Sequence, residues 1–545
     1  MNKFMPWGAL TLLSCLFLAV FLLLPIFKVI LASLQNADGA LTLEGFKIFF
    51  TEGDYLQGLF NSLFLAAAVT VVTVLIGVPL AYVTVYYDFP FKSLLSILPI
   101  TVVIIPELIT TQSWLLVFGY NGFVTQMLLE LGIRAPRFYG WTGLIFVMAI
   151  TYYVHVYMAS LAALRSFDVQ LEEAAQSLGR SPISARIRTM VPLMAPAILS
   201  SALVVFTLVL GNFSIAIILG PSVPLLSVMT YNSFLSEVGL NPLMQSALAT
   251  ISIVLVGLIL FVQKRFVGKS RFEMRQGRSM KALPIKGAWG VAAYVAVLAL
   301  LAVTLLPLGL VLAGSITDST GPVMHWGHFT LKHFANVADY GVEIIVNSIS
   351  YAFSATVLGV VFGTTASYLI IKKKNALTEA LDFMVMLPMA IFGTVLGIAL
   401  SQTFNAGLIP LTGTPIIMVL ALTLRRLPFS VRNASANLFN IPDSIEEAAI
   451  SLGTSPMKSF RKVVAPLMAP GITSAAVLMW AMTMAELAST LLLYHPSQET
   501  LPIKIYNLID SDLMAQASAY GVVMIVLILT PIFLVTKFTK VELFK

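Results

Sequence analysis

The sequence predicts an all-α polytopic membrane protein with twelve transmembrane helices, arranged as two parallel six-helix repeats. Three observations predict it. First, 58% of the 545 residues are hydrophobic and 10% are charged, with a mean hydropathy of +0.93, whereas a soluble domain carries about 25% charged residues. A water-soluble fold of this length does not hide so much apolar surface, so the bilayer is the solvent. Second, apolar stretches of spanning length recur along the whole chain. Third, the second half of the chain repeats the first. Disorder, a disulfide scaffold and a secreted enzyme are excluded, and the single cysteine, Cys15, has no second thiol to pair with.

A spanning helix needs about 20 apolar residues. The candidates are 8–34, 60–86, 94–118, 141–164, 193–219 and 243–264, followed by 287–316, 346–371, 379–404, 410–428, 467–494 and 517–538. The first has a signal-like start, and Leu12-Leu13-Ser14-Cys15 resembles a lipoprotein cleavage site. The apolar run nevertheless continues past Cys15 to Phe27, where a mature lipoprotein turns polar, so a retained spanning helix is expected. The fourth and tenth are the weakest spans, because His155 and the pair Arg425-Arg426 intrude.

Charge placement tests this count. With the N-terminus inside, all but six of the 32 Lys and Arg residues fall on cytoplasmic segments, the exceptions being Lys28, Lys47, Arg134, Arg137, Lys332 and Lys504. The outer loops instead carry Asp38, Glu44, Glu52, Asp54, Glu237, Asp510 and Asp512. An error of one span would scramble this asymmetry. Both termini are therefore expected in the cytoplasm. The net charge of +7 reads as basic cytoplasmic loops and not as a nucleic-acid surface. Lys264 to Lys286 hold eight Lys or Arg and one Glu, which reads as a topology-setting linker, with lipid binding as the alternative. The domain boundaries follow: a first repeat over 1–264, a linker over 265–286 and a second repeat over 287–545.

The repeat is visible residue by residue. Leu24-Pro25 matches Leu306-Pro307, Asn61-Ser62 matches Asn347-Ser348, and Leu98-Pro99 matches Leu387-Pro388, at offsets of 282, 286 and 289. After an extra outer segment near 120–138 in the first half, the offset falls to 274, and there the similarity peaks. Residues 171–196 read LEEAAQSLGRSPISARIRTMVPLMAP and residues 445–470 read IEEAAISLGTSPMKSFRKVVAPLMAP, identical at fourteen of 26 positions without a gap. Each copy lies between the fourth and fifth span of its half. Six spans per half is an even number, so both copies face the cytoplasm. Two polar loops this alike imply that both meet the same kind of surface.

The spacing predicts a helix–turn–helix in each loop, over about 168–192 and 442–466. Ser444 and Glu447 have capping-box spacing, while the first copy has Gln170 in place of the serine. Ala174-Ala175 and Ala448-Ala449 favour helix. Gly179 and Gly453 suit a left-handed helix end. Ser181-Pro182 and Ser455-Pro456 supply an N-cap followed by proline at the first helical position. Pro192 and Pro466 are expected to break the second helix before the fifth span.

This pattern resembles the EAA loop of permeases of binding-protein-dependent ABC importers. The matching residues are Glu173, Ala174, Ala175, Gly179 and Pro192, and Glu447, Ala448, Ala449, Gly453 and Pro466. The resemblance implies that each loop docks on an ATP-hydrolysing subunit. It implies as partners two copies of that ATPase, a periplasmic or lipid-anchored solute-binding protein, and membrane lipid, with no nucleic acid. The location implied is the bacterial cytoplasmic (inner) membrane. A fused double permease resembles the branch that includes ferric-iron importers, with thiamine, aminoethylphosphonate and sugar-phosphate relatives nearby. Leu427-Pro428 and Arg432 also look like that branch, whereas the first half has Met158 and Ala159 near the corresponding place.

The chain has no G-x-x-x-x-G-K-[S/T] phosphate loop, so no cofactor is expected on it, and ATP with its Mg is expected on the partner. No catalytic residue and no Cys/His metal cluster is read; His325, His328 and His333 share one outer loop, where solvation is the ordinary explanation. Ionisable residues inside the membrane are a functional hypothesis by default. Glu107 lies in the third span, and Glu486 in the eleventh has Asn212 as its counterpart at the 274 offset. These three are candidates for the translocation path, against the alternative of helix–helix hydrogen bonds. The leading expectation is an importer permease for ferric iron. A phosphonate or sugar phosphate is the alternative cargo, and an ion-coupled secondary transporter is the alternative class.

Overall fold

The computed structural model of the chain describes residues 5–36, 38–235, 242–267, 282–285, 287–406 and 409–539. Glu237 and most of the 265–286 linker lie outside the described residues. Among those described, the strands are two short pairs, Tyr87–Asp88 with Leu283–Pro284 and Thr317–Thr320 with Val323–Phe329. The rest of the regular structure is helical, as an all-α membrane protein requires.

Eight helices are long and apolar enough to cross a membrane, and three bent pairs raise the number to eleven. The straight ones are Trp7–Ala32, Gly53–Tyr86, Trp141–Arg165, Pro182–Leu210, Leu243–Gln263, Gly290–Ile316, Val342–Lys372 and Met514–Lys537. The expected tenth span is also a helix, Pro415–Leu438, but Arg425, Arg426 and Arg432 lower its apolarity. All twelve expected spans therefore correspond to helical segments.

The third and ninth spans are not the straight helices that 94–118 and 379–404 suggest. They bend by 102° between Lys92–Ile104 and Glu107–Glu130, and by 111° between Ala376–Ala390 and Gly393–Phe404. The first bend has a local cause. Proline disfavours the helical conformation in the residue before it, and Ile105, preceding Pro106, is extended at ψ 122°. In the ninth span Ile391 and Phe392 are extended at the same place without a proline.

The helices form two compact units, and these do not follow the sequence halves. The larger unit comprises 1–53, 227–253 and 315–545; the smaller comprises 54–226 and 254–314. Within the larger unit, the first span packs on second-half helices. Phe17 meets Phe362 and Phe21 meets Phe404, at ring separations of 5.5 and 5.6 Å, and buried Cys15 faces the Leu377 carbonyl. Within the smaller unit, the seventh span packs on first-half helices. Val297 and Leu301 join Leu80, Tyr153, Tyr157, Met190 and Met194 in one buried cluster. Ser113 Oγ donates to the Pro307 carbonyl at 2.9 Å. The boundaries read from the sequence delimit repeats, whereas packing gathers each leading span with helices of the other repeat.

In each unit a glycine sets the approach of the second span of its repeat to the fourth. A Cβ on Gly77 would lie 2.9 Å from the Tyr157 nitrogen, and one on Gly363 would lie 2.2 Å from Ser430 Oγ. Both positions are related by the 286 offset. Small residues are the usual means of close helix packing in lipid, and here Ser367 Oγ also donates to the Val431 carbonyl at 2.8 Å.

Candidate functional site

Each duplicated loop is a helix, a glycine turn and a second helix, as expected. The first helices are Val169–Ser177 and Asp443–Ser451. Gly179 and Gly453 follow at φ +84° and +89°, in the left-handed region that glycine adopts without a Cβ clash. Ser181 and Ser455 are extended, and Pro182 and Pro456 open the next helices.

Two local expectations are corrected. Ser444 is not the N-cap: the helix starts at Asp443 after Pro442, and Asp443 Oδ1 instead takes a hydrogen bond from Lys372 Nζ at 2.5 Å. That bond holds the Asp443 carboxyl below its ordinary range. The first copy is capped by Asp168, which accepts from the Gln170 amide. Nor does Pro192 break its helix, because Pro182–Leu210 runs through it. Pro192 and Arg188 are both exposed, and proline leaves the Arg188 carbonyl without its helical bond. In the second copy a π turn over Phe460–Val464 precedes Pro466, and the axis bends by 72° before Ala469–Met484.

Glu173, Ala174, Gly179 and Pro192 are exposed, as are Glu447, Ala448, Gly453 and Pro466; Ala175 and Ala449 are half-buried. Beside the glycines, Leu178 and Leu452 are 86% and 88% exposed. An apolar knob flanked by small and acidic side chains is thus presented twice.

The glutamate preceding the motif glutamate behaves oppositely. Glu172 and Glu446 are buried. Glu172 Oε1 takes a hydrogen bond from Arg186 Nη2 at 2.7 Å and Oε2 takes one from Nε at 3.2 Å, while Arg186 Nη1 donates to Tyr82 Oη at 3.0 Å. The Arg186 guanidinium also lies 4.3 Å from the Tyr86 ring centre. Glu446 Oε1 accepts from Tyr368 Oη at 2.5 Å and from Lys373 Nζ at 3.2 Å. Phe460 stands where the first copy has Arg186, and its ring packs on Tyr368 at 4.5 Å, with Trp7 against both.

The intramembrane residues form a polar cluster in each unit. In the smaller, Tyr152 Oη donates to Glu107 Oε1 at 2.6 Å, and Asn212 Nδ2 donates to Glu107 Oε2 and to Tyr152 Oη, each at 2.7 Å. Glu107 is the first residue after the 102° bend, where the helix N-terminus favours a carboxylate. In the larger, Arg426 Nη2 pairs with Glu486 Oε2, Arg425 Nε lies 3.5 Å from Glu486 Oε1, and Arg425 Nη1 donates to the Ile391 carbonyl at 2.7 Å. Asn212 and Glu486 each follow the end of a helix, Pro182–Leu210 and Ala469–Met484, so the helices stop short of 219 and 494. Asn212 Oδ1 accepts from the Ile215 amide and Glu486 Oε1 from the Ser489 amide, restoring a bond to each broken backbone. Glu107 has no acidic counterpart, for Gly393 occupies its place after the bend.

The outer histidines serve local structure. His333 is buried and bonds the Thr317 carbonyl, and His325 meets Thr320 Oγ1 across the strand pair. Among the described residues, no three His, Cys, Asp or Glu are grouped to hold a metal ion.

The sequence profile of the family described as "Binding-protein-dependent transport system inner membrane component" matches the chain twice, over 73–272 and 355–540, together more than half its length. The chain belongs to this family. It is a multi-pass inner-membrane permease subunit of an ABC importer, a transport component of a binding-protein-dependent system. It is 26% identical over 492 residues to a ferric transport system permease protein of Actinobacillus pleuropneumoniae, covering 88% of this chain and 70% of the relative. It is 25% identical over 510 residues to a putative ferric transport system permease protein of Haemophilus influenzae, covering 91% and 79%. It is 30% identical over 226 residues to a putative 2-aminoethylphosphonate transport system permease protein of Salmonella typhimurium, covering 41% of this chain and 84% of the relative.

Of the residues legible in the sequence, those of the loops are exposed or half-buried, and Glu107, Asn212 and Glu486 stand in the polar clusters. What sequence reasoning missed is the inner face, Glu172 with Tyr82 and Glu446 with Tyr368. The signal was present: the same offsets of 274 and 286 that align the loops and second spans pair those residues.

Proposed function

We propose that the permease imports ferric iron, delivered by an extracytoplasmic binding protein and driven by two copies of an ATPase that bind ATP and Mg. The ATPase copies dock on the loops at 168–192 and 442–466, through Glu173, Ala174, Ala175, Gly179, Glu447, Ala448, Ala449 and Gly453. Pro192 and Pro466 pass the motion into the fifth spans. Both termini lie in the cytoplasm. The observation that carries this reading is the twice-presented exposed knob, Leu178 and Leu452, beside a left-handed glycine. Iron is supported by the two ferric permease relatives that align over most of the chain.

ATP binding closes the ATPase pair, draws the loops together and switches the solute path between outward and inward access. Such rigid-body switching needs differential binding and no covalent chemistry in this chain. Glu107, Asn212 and Glu486, with their tyrosine and arginine partners, line the path. A phosphonate is the second reading, favoured by the Salmonella relative.

The test is purification of the permease from its native membrane with its partners, followed by joint analysis of iron and phosphorus on the binding protein. Iron, with ATP-dependent uptake of radiolabelled ferric iron into proteoliposomes, is expected. Organic phosphorus in its place moves the cargo to the phosphonate reading. Transport by a preparation that contains no ATPase overturns the mechanism.

A further inference from the structure

We propose that Glu172 and Glu446 are positioning residues that lock each coupling helix to the cytoplasmic end of the second span of its repeat, so that helix and span move as one body. Both carboxylates are buried, and each is held by groups from a separate element. In the smaller unit Arg186 binds Glu172 and Tyr82 at once, clamping the coupling helix Val169–Ser177 to Gly53–Tyr86. In the larger unit Tyr368 and Lys373 come from the end of Val342–Lys372 and the residue after it, and hold Glu446 directly.

The physical reason is the cost of separation. A buried charge that loses its partner is strongly unfavourable, far more so than an exposed pair. A push on the exposed face of a coupling helix therefore carries the second span along and does not slide the helix away from it. The contacts continue inward. Gly77 seats the second span on Tyr153 and Tyr157 of the fourth, next to Tyr152, which bonds Glu107. Gly363 seats the eighth on Ser430 of the tenth, one turn from Arg426, which pairs with Glu486. Each buried glutamate thus stands at the loop end of a packed chain that reaches the polar cluster of its own unit.

The two locks are built differently. The first depends on an arginine within the coupling segment. The second depends on the eighth span, and the first span seals it through Trp7, 4.8 Å from Tyr368. Removing one hydroxyl, Tyr368→Phe, therefore cuts the second lock at its shortest bond. Tyr82→Phe leaves the Arg186–Glu172 pair intact and removes one of the two links onward to the span, the Arg186 contact with the Tyr86 ring remaining.

The inference rests on the reading of the loops as ATPase contacts. Its test uses the complete complex in proteoliposomes and measures ATP hydrolysed per solute imported, with radiolabelled ferric iron, or 2-aminoethylphosphonate if the wild-type complex carries that. Tyr368→Phe is expected to raise this ratio about tenfold or more, the factor one lost hydrogen bond to a charged group represents, while the ATPase stays bound. Tyr82→Phe is expected to raise it less. Glu446→Gln is a third variant, and because the phenylalanine variants keep their rings, they carry the test if it does not assemble. A merely structural role would lower hydrolysis and uptake in equal proportion. An unchanged ratio in Tyr368→Phe, with ATPase bound, overturns the proposal. Loss of ATPase from the wild-type complex as well would instead overturn the docking reading.

Discussion

The two repeats agree on their duplicated loops and disagree inside the membrane. At the loops, fourteen of 26 positions are identical, and glycine, exposed leucine and buried glutamate recur at matched places. In the membrane, the places of Tyr152 and Asn212 are taken by Arg426 and Glu486, and that of Glu107 by Gly393. The lesson is that the duplicated loops stay alike residue by residue, while the polar clusters inside the membrane have divided their chemistry between the repeats. The carboxylate opens the second helix of the third span in one repeat and follows the helix Ala469–Met484 of the eleventh in the other. Each is satisfied, by neutral donors in the first case and by guanidinium groups in the second.

The largest expected effect would break the likeness of the loops. Gly179→Trp or Gly453→Trp puts an indole on the exposed turn and strains a left-handed backbone. Each is expected to cut ATP-driven uptake by at least about tenfold, the factor that 1.4 kcal/mol of lost docking represents, as measured in proteoliposomes. An ion-coupled carrier would be spared.

The unlikeness of the clusters is sharpened by a second pair of variants. Glu486→Gln removes a fully buried charge from between Arg425 and Arg426, and breaking such a pair is expected to destabilise by about 3–5 kcal/mol. Glu107→Gln alters hydrogen bonds with Tyr152 and Asn212, at about 1–3 kcal/mol. Thermal unfolding of the purified permease in detergent compares the two. Equal losses would erase the distinction drawn between the clusters.

Trp7→Ala acts on the second duplicated loop alone. Trp7 is 3% exposed, between Tyr368 and Phe460, and truncation of a buried Trp costs about 3 kcal/mol or more where the surroundings cannot collapse. Limited proteolysis is expected to open the 442–466 loop and leave the 168–192 loop at its wild-type rate. The smallest effect concerns Asp443, whose carboxyl lies largely in solvent. Lys372 depresses its folded-state value, so its stabilisation is present at neutral pH and is lost as pH falls through that depressed value. Solvent screening keeps this below about 1 kcal/mol. Unfolding curves of Asp443→Asn and wild type should converge in acid.

Much of this was legible because the bilayer imposes simple rules. Length, apolarity and basic-residue placement locate helices well, and turn chemistry at Gly179, Gly453, Pro182 and Pro456 is local enough to read directly. The bend at Ile105 had its signal in Pro106 and was passed over, whereas the bend at Ile391 has no proline after it to mark it. The exchange of leading spans was not legible either, since an apolar stripe such as Phe17 and Phe21 carries no address for its partner. Glu172 was passed over because, in a string of two glutamates, only burial distinguishes the one that turns inward.

The most direct test of the central claim is site-directed crosslinking from the knob beside each glycine. With buried Cys15 replaced by alanine, a cysteine is placed at Leu178 or at Leu452 in the complete importer, and crosslinks to the ATPase are scored with and without ATP. Both positions are expected to capture an ATPase subunit, with a yield that changes on ATP binding. An importer that transports normally while neither position captures the ATPase would contradict the account.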